Sequence, residues 1–400
     1  MNIITGGVTA PEGFFATGVA CGIKKDGKKD LAIVCSEDSA AAAGVFTLNR
    51  VKGHSLQLTM DHIKNGYASA IVINSGNANA CVGEQGYRDA LEIAEITAGL
   101  LECSPQEILV GSTGVIGKPL NMDAIRPALE TLVSSMDPNG GRDALEAIMT
   151  TDTMFKEIAI ELEIQETRVV IGGMAKGSGM IHPNMATLIG VITTDANISR
   201  KLLDKALREV VETTFNRVSV DGDTSVCDMV VILANGMADN AGIIHENEDY
   251  EQFRKGLEYV CAHLAKLIAK DGEGATKLIE VAVEGAGSPA DAYKAASAIA
   301  KSPLVKTAIF GEDANWGRIM TAAGYSGADF DPLYADIYIG SLLVCKNGCA
   351  VDFDEAEAKD ILRKNEIKLL IKLNKGVYSD HVWTCDFSYD YVKINASYRS

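Results

Sequence analysis

Short apolar runs rich in β-branched residues alternate along the chain with longer segments whose apolar residues recur at helical spacing. The short runs are typical of buried strands, and the longer segments are typical of amphipathic helices that cover a sheet. This alternation predicts strands at residues 31–35, 70–74, 107–111, 158–164, 167–171, 277–283, 304–310, 336–345, 366–373 and 384–395. It predicts helices at residues 87–101, 199–215, 253–268, 289–300 and 354–364.

Some of these elements carry a more specific expectation. Along residues 158–164, isoleucine and leucine alternate with mostly polar residues, so this strand is expected to be half exposed and to form a hairpin with residues 167–171. The amphipathic helix that follows Ser199 is expected to be capped by that side chain. Cys345 and Cys349 flank an Asn-Gly pair and are expected on opposite sides of a hairpin turn.

Mixed strands and helices joined by glycine-rich turns favour an α/β or α+β fold built from layers. The length of 400 residues is enough for two or three domains. The glycine-rich turn at residues 285–289 is the candidate junction between two of them.

Charge and composition narrow the function classes. The chain has 54 acidic and 37 basic residues and a net charge of −17, so it is not expected to bind nucleic acid. The one basic cluster, at residues 24–29, is expected to be a solvated hairpin tip. With no signal peptide and no apolar run near ~18 residues, a cytoplasmic protein without membrane contact is predicted. The nine cysteines and six histidines lack metal-ligand spacing, so neither a metal site nor a disulfide framework is expected.

The most distinctive segment is a glycine-rich stretch, residues 172–190, in which an apolar run follows Thr187. Segments of this kind are usually a turn that leads into a buried strand. A threonine at this point also permits self-cleavage, because a cut between Ala186 and Thr187 would free an α-amine next to the hydroxyl. An α-amine ionises near pH ~8, so it can accept the hydroxyl proton under ordinary conditions. One cut would therefore supply both a nucleophile and its base.

Other features fit acyl transfer, although each has a simpler interpretation. The turn at residues 111–117 could direct hydroxyl and N–H groups at an oxyanion, but Gly-Ser-Thr-Gly is also an ordinary turn. Lys176 lies among glycines and could hold a substrate carboxylate and lower the pKa of a nearby α-amine, whereas most loop lysines are solvated. Glu273 is either a surface carboxylate or a substrate contact. Residues 150–153 either cap a helix or contact substrate.

The segment at residues 172–197, centred on Pro-Asn-Met-Ala-Thr-Leu, resembles the processing site of the ornithine acetyltransferase family of arginine biosynthesis. Further matches to the family lie at residues 6–14, 74–80, 221–225 and 311–318, so the resemblance covers essentially the whole chain. Residues 226–228 depart from the family pattern, and we expect them to begin a strand and to take no part in the chemistry.

The resemblance implies roles for particular residues. Thr187 would be the nucleophile released by cleavage after Ala186, and Thr113 with Gly114 would form the oxyanion hole. The residues that would bind substrate are Thr150, Thr151, Lys176, Thr187, Glu273, Asn395 and Ser400. Which threonine of residues 150–153 makes the contact stays open. The chain ends in serine where the family more often has threonine, and the hydroxyl is kept.

The resemblance also implies a fold, a layered αββα-type sandwich of the ornithine acetyltransferase/DmpA-like class with a smaller C-terminal α/β domain. Residues 1–186 would form an α fragment and 187–284 would complete the catalytic domain, with 285–400 as the C-terminal domain. The enzyme would move an acetyl group from N2-acetylornithine to glutamate by a ping-pong route, with acetyl-CoA as a second donor in bifunctional members. It would need no metal or organic cofactor and would assemble from two copies of each fragment.

Two other function classes remain open at this point. One is a self-processed amidase or aminopeptidase that uses water as the acceptor. The other is a non-enzymatic nucleotide-binding module, suggested by Ala-Lys-Gly-Ser-Gly at residues 175–179. A P-loop has Gly-Lys followed by serine or threonine at a strand-to-helix turn. Here a glycine follows the lysine and a strand is predicted next, which disfavours that module.

Overall fold

The computed structural model describes residues 1–182 and 188–397. Within these ranges the chain forms two compact units that are interleaved along the sequence. Of the described residues, the first unit takes 1–177, 188–216 and 224–264. The second unit takes 178–182, 217–223 and 265–397.

The described part of the chain contains sixteen strands and eleven α-helices. The strands are β1 (Asn2–Ile4), β2 (Phe14–Val19), β3 (Leu31–Phe46), β4 (Tyr67–Asn77), β5 (Ile108–Val115), β6 (Glu157–Ile164), β7 (Thr167–Lys176), β8 (Ile189–Thr194), β9 (Val218–Ser219), β10 (Met229–Ala234), β11 (Leu278–Ala286), β12 (Asp336–Ile339), β13 (Leu342–Lys346), β14 (Cys349–Ala350), β15 (Glu366–Lys372) and β16 (Tyr378–Cys385). The helices are α1 (His54–His62), α2 (Glu84–Leu101), α3 (Met122–Ser134), α4 (Gly141–Ile148), α5 (Arg200–Thr213), α6 (Glu248–Lys270), α7 (Pro289–Lys301), α8 (Pro303–Phe310), α9 (Trp316–Gly324), α10 (Glu355–Leu362) and α11 (Tyr389–Asn395).

The first unit is organised around a nine-stranded sheet. Its strand order is β1-β6-β7-β8-β10-β3-β4-β5, with β2 paired to the first half of β3. The long strand β3 pairs with β4 through residues 31–35 and with β10 through residues 41–46, and its register to β4 shifts between Cys35 and Ala40. Strand β3 therefore joins the group β1, β6, β7, β8 and β10 to the group β2, β4 and β5.

The packing of β4 shows how these two groups are layered. Alternate side chains of a strand point to opposite faces. Ala70 and Val72 join a buried core with residues of α2 and α3, whereas Ile71 and Ile73 join a core that also contains residues of β7, β8 and β10. Helix α6 packs closely against β7. An added methyl group on Gly173 of β7 would lie 3.0 Å from the Val260 side chain of α6. The predicted αββα layering is thus confirmed.

The second unit is built on a seven-stranded sheet with the order β14-β13-β12-β15-β11-β16-β9. Helices α7, α8, α9 and α10 contribute side chains to a buried core shared with β11, β12 and β15. The glycine-rich turn at residues 285–289, our candidate junction, lies inside this unit between β11 and α7.

The prediction of a strand at residues 304–310 is wrong, because this segment is helix α8. Pro303 occupies its first turn, and the Ser302 hydroxyl accepts a hydrogen bond from the Val305 N–H at 3.3 Å. Proline at the first helical position and serine before it are helix-start signals. A short apolar run alone does not separate a strand from a buried helix.

Two other predicted strands are partly wrong. Residues 336–345 form a hairpin of β12 and β13, which turns at Gly340 with a φ of +60°. The strand predicted at residues 384–395 ends at Cys385, and helix α11 follows, with the Ser388 hydroxyl accepting from the Asp390 N–H at 3.1 Å. The chain thus reverses at a glycine in the first case and begins a capped helix in the second.

Smaller expectations have mixed outcomes. The hairpin of β6 and β7 is confirmed, but β6 is mostly buried, because Ala159 faces a core and only Glu163 is exposed. Ser199 sits at the start of α5 without a side-chain capping hydrogen bond. Lys24, expected to be solvated, is half-buried and donates hydrogen bonds to the backbone oxygens of Lys29 and Met149, both at 2.8 Å.

The cysteine hairpin is confirmed, since Cys349 on β14 pairs with Lys346 on β13. All nine cysteines are free thiols. None of the described helices combines the length and apolar character needed to cross a membrane.

Candidate active site

The first part of the site lies where the parallel strands β4 and β5 end. Gly76 of β4 is paired with Gly114 of β5, and Ser75 with Thr113. Gly114 has a φ of +126°, and a methyl group there would lie 2.4 Å from the Gly76 carbonyl carbon. Both the backbone conformation and the close approach therefore require glycine. Thr113 and Gly114, which the sequence placed in a turn, thus lie at the closely packed end of β5.

Serine and asparagine side chains hold these strand ends in place. The Ser112 hydroxyl donates to Asn74 Oδ1 at 2.5 Å, and it shares a 2.7 Å hydrogen bond with the Ser55 hydroxyl. The Ser75 hydroxyl donates to the Ala147 carbonyl oxygen at 2.5 Å. These buried hydrogen bonds join β4, β5, α1 and α4, and they limit movement of the strand end that carries Thr113.

Lys176, at the end of β7, points to the same place. Its backbone pairs with Ile189 at the start of β8, and its side chain is 10% exposed. The Lys176 ammonium group lies 3.5 Å from the Thr113 hydroxyl oxygen. The structure therefore brings Lys176 next to the consecutive residues Thr113 and Gly114, which lie far from it in the sequence.

A buried carboxylate, Asp152, anchors this ammonium group. Its fully buried side chain lies 4.0 Å from the Lys176 ammonium and 2.7 Å from that of Lys156. It also accepts hydrogen bonds from the N–H groups of Gly177, at 2.7 Å, and Thr150, at 3.0 Å. Burial pushes the pKa of this carboxyl up, but Lys176 and Lys156 outweigh it and hold the pKa well below its usual range.

The sequence suggested roles for Thr150 and Thr151 but none for Asp152 beside them. Both threonines are partly buried, and they lie in the loop that Asp152 ties to Gly177. No local pattern marks this acid, because residues 152–156 are not helical and the four-residue spacing that pairs charges on a helix does not apply to them. Asp152 positions the lysine that the sequence had suggested.

The second unit holds another set of the predicted residues. Glu273 is 6% exposed, so it is not a surface carboxylate. Asn395 donates a hydrogen bond from Nδ2 to Glu273 Oε2 at 2.8 Å, and the Glu273 N–H donates to the Ser178 carbonyl oxygen at 3.1 Å. A methyl group on Gly179 would lie 2.2 Å from the Glu273 carboxylate, which explains the glycine. The structure thus brings Glu273 and Asn395 together beside residues 178–179.

The Asp-Gly-Asp-Thr-Ser motif also has a role that the sequence did not reveal. The Asp221 carboxylate accepts hydrogen bonds from the N–H groups of Met180, at 2.6 Å, and Ile181, at 2.9 Å. Burial raises the pKa of Asp221, and the backbone hydrogen bonds oppose that shift. Asp221 therefore fixes the part of the glycine-rich segment that precedes the predicted cleavage point.

Three predicted site residues, Ala186, Thr187 and Ser400, lie outside the described residues. His182 is described, and burial, together with Lys301, lowers its pKa to about 4. Within the described residues no group of three or more His, Cys, Asp or Glu side chains is arranged to hold a metal ion.

The structure thus places a threonine–glycine strand end beside a buried ammonium group that a carboxylate anchors, within a layered αββα unit. This is the arrangement that the sequence predicted for an acyl-transfer class of site. The family model described as "ArgJ family" matches residues 15–400, and the chain therefore belongs to the ArgJ family. The resemblance stated from the sequence is confirmed.

Individual relatives agree with this assignment. The chain is 52% identical over 402 residues to the arginine biosynthesis bifunctional protein ArgJ of Symbiobacterium thermophilum, and the match covers 100% of both proteins. It is 46% identical to the protein of the same name from Bacillus subtilis, over 99% of this chain and 97% of the relative. The crystal structure of the Bacillus halodurans arginine biosynthesis bifunctional protein argJ matches with a TM-score of 0.50 and 47% identity, covering 51% of this chain and 96% of the solved one.

Proposed function

We propose that this chain cuts itself between Ala186 and Thr187, and that the mature enzyme moves an acetyl group from N2-acetylornithine to glutamate. Thr187 attacks the acetyl carbonyl, ornithine leaves, and glutamate takes the acetyl group from the threonine ester. The observation that carries the proposal is the Lys176 ammonium group, held by Asp152 and lying 3.5 Å from the Thr113 hydroxyl beside Gly114.

The residues divide the chemistry between them. The Thr187 α-amine takes the proton of its own hydroxyl, and Thr113 with Gly114 stabilises the negative charge on the acetyl oxygen. The Lys176 ammonium group pairs with the substrate carboxylate, and its positive charge keeps a neighbouring α-amine neutral. The Glu273 carboxylate, oriented by Asn395, pairs with the ammonium group of ornithine. Thr150 or Thr151 and Ser400 complete the substrate contacts.

The length of a solved relative supports the cleavage. A match that covers 51% of this chain and 96% of the Bacillus halodurans chain makes that solved chain about 212 residues long. Residues 187–400 of the present sequence number 214. A half-length chain in a relative at 47% identity fits a precursor that is divided near its middle.

Several further properties belong to the same proposal. The relatives are named bifunctional, and we extend to this chain a second reaction in which acetyl-CoA acetylates glutamate. The reaction uses neither a metal nor an organic cofactor. The two fragments, 1–186 and 187–400, assemble in two copies each and act in the cytoplasm.

Replacement of Thr187 tests the proposal. Thr187→Ala is expected to give one uncut chain of 42.5 kDa without acetyl transfer, whereas the wild-type protein gives two bands on a denaturing gel. Thr187→Ser is the matched control, because it keeps the hydroxyl and should still be cut. An active Thr187→Ala protein would contradict the proposal.

The acceptor decides between this activity and a self-processed amidase. With N2-acetylornithine and glutamate present, the transferase releases N-acetylglutamate, whereas an amidase releases acetate whether or not glutamate is added. Mass spectrometry of the two products separates these outcomes.

A further inference from the structure

A second acid of the first unit, Asp228, lies directly before β10 and is 2% exposed. Strand β10 runs parallel to β8, with Met229 opposite Ile189, and the Met229 N–H donates to the Leu188 carbonyl oxygen at 2.8 Å. Asp228 is therefore in register with Leu188, the residue bonded to Thr187. The Thr47 N–H donates to the Asp228 carbonyl oxygen at 3.0 Å and fixes its backbone on the other side.

The Asp228 carboxyl is incompletely bonded. Ser225 hydrogen-bonds to it, but its Oδ2 atom has no hydrogen-bond partner within the residues that the structure describes. The charged and titratable groups that act on this carboxyl are the Lys176 ammonium and the Cys227 thiol. Burial raises its pKa well above the ordinary value, and Ser225 and Lys176 oppose that shift. A buried polar atom without a partner is uncommon in proteins and calls for an explanation, of which a catalytic role is one.

Self-cleavage has a chemical requirement that the mature reaction does not have. Before the cut, the Thr187 nitrogen is part of an amide and cannot act as a base. Lys176 is an ammonium group that donates hydrogen bonds and cannot accept a proton. Asp152 is occupied by Lys156 and by the N–H groups of Gly177 and Thr150. Among the buried carboxyl oxygens of the described residues, Asp228 Oδ2 is the one without a hydrogen-bond partner, and Asp228 is in register with Leu188.

We propose that Asp228 accepts the Thr187 hydroxyl proton during self-cleavage and returns it to the Thr187 nitrogen. This inference rests on the proposed cleavage between Ala186 and Thr187, and it assigns the general base and general acid of that cleavage.

The step balances as follows. The Asp228 carboxylate takes the hydroxyl proton while the Thr187 oxygen bonds to the Ala186 carbonyl carbon. The bond between that carbon and the Thr187 nitrogen then breaks, and the nitrogen takes the proton from the Asp228 carboxylic acid. Water hydrolyses the resulting ester, which releases the Ala186 carboxyl group and restores the Thr187 hydroxyl. Asp228 ends the sequence as a carboxylate.

Because only the ionised carboxylate accepts a proton, cleavage should accelerate as pH rises through the pKa of Asp228. The rate is measured after cell-free synthesis, as loss of the 42.5 kDa chain on a gel, from about pH 5 to about pH 9. Asp228→Asn is expected to slow cleavage by roughly 10²-fold or more and to remove its pH dependence. Asp228→Glu, which keeps the carboxyl group, should recover part of the rate and the pH dependence.

Asp195→Asn is the matched control. Asp195 is another buried aspartate of the first unit whose pKa is raised by burial, but its two oxygens accept from the N–H groups of Val170 and Glu12. Its replacement should leave the cleavage rate and its pH dependence as in the wild type. Circular dichroism spectra confirm that each variant is folded.

Each result decides a different claim. An Asp228→Asn chain that is cut at the wild-type rate, or slowly with an unchanged pH profile, would overturn the role of Asp228. If that variant does not fold, a pH-independent rate in both the wild type and Asp228→Glu overturns it instead. Cleavage of the Thr187→Ala chain would overturn the proposed function itself, whatever Asp228 does.

Discussion

Neutralising Asp152 should cost a large part of the stability of the first unit. The Asp152 carboxylate is fully buried and lies 2.7 Å from the Lys156 ammonium and 4.0 Å from the Lys176 ammonium. Removing one partner of a buried ion pair leaves an uncompensated charge and costs about 3–5 kcal/mol. Asp152→Asn removes the carboxylate that the Lys156 and Lys176 ammonium groups share, so we expect a loss of about 3–5 kcal/mol in the free energy of unfolding at neutral pH.

The pH dependence gives a second test of the same reasoning. Lys176 and Lys156, working against burial, hold the folded-state pKa of Asp152 below its value of about 3.9 in an unfolded chain. The stabilisation is therefore present above that unfolded value and is lost as pH falls through the folded-state pKa. The difference between the wild type and Asp152→Asn should shrink below about pH 4.

Urea titrations followed by circular dichroism measure both effects. The control is Asp204→Asn, which breaks an exposed ion pair with Arg208 on α5, where the side chains are 44% and 53% exposed. Such helix pairs contribute about 0.3–0.5 kcal/mol. An Asp152→Asn loss no larger than that of the control would refute the view that Asp152 carries this cluster.

The remaining predictions concern the two parts of the site. Gly114→Ala places a methyl group 2.4 Å from the Gly76 backbone and should lower kcat in the acetyl-transfer assay by about 10²–10³-fold. Gly117→Ala is its control, because Gly117 also has a positive φ but has open space around it, and its kcat should stay near the wild-type value. Glu273→Gln keeps the shape and an oxygen for Asn395 but removes the charge, so the KM for N2-acetylornithine should rise about tenfold. The exposed Glu284→Gln is its control, and an equal KM in both would contradict the assignment.

How well the fold could be predicted depended on the local signal of each segment. The strands at β4 and β5 and the helix α2 were found because their apolar patterns are long or flanked by clear turns. Helix α8 was mistaken for a strand because its capping signal, Ser302 and Pro303, lies outside the apolar run. Strand β3 pairs with β4 through residues 31–35 and with β10 through residues 41–46. The hydrophobic periodicity of the sequence does not indicate this second partner.

The site shows the same division. Thr113, Gly114, Lys176, Glu273 and Asn395 were found through motifs that resemble a family, and the structure brings them together within each unit. Asp152 was missed, and Asp221 was found only as part of a motif without an assigned role, because an acid that hydrogen-bonds backbone N–H groups leaves no pattern of its own in the sequence. Asp228 was expected to take no part in chemistry, and the unpartnered oxygen that suggests otherwise is visible only in the folded chain.

The amino-acid sequence by itself determined the family, the point of cleavage that we propose, and most of the secondary structure, because these depend on residue types at short spacing. Tertiary structure alone decided which acid holds Lys176, why Gly114 and Gly179 must lack a side chain, and which carboxyl group stays unpaired. Those properties depend on burial and on distances between atoms of residues far apart in the chain. Such distances are set only when the layers pack.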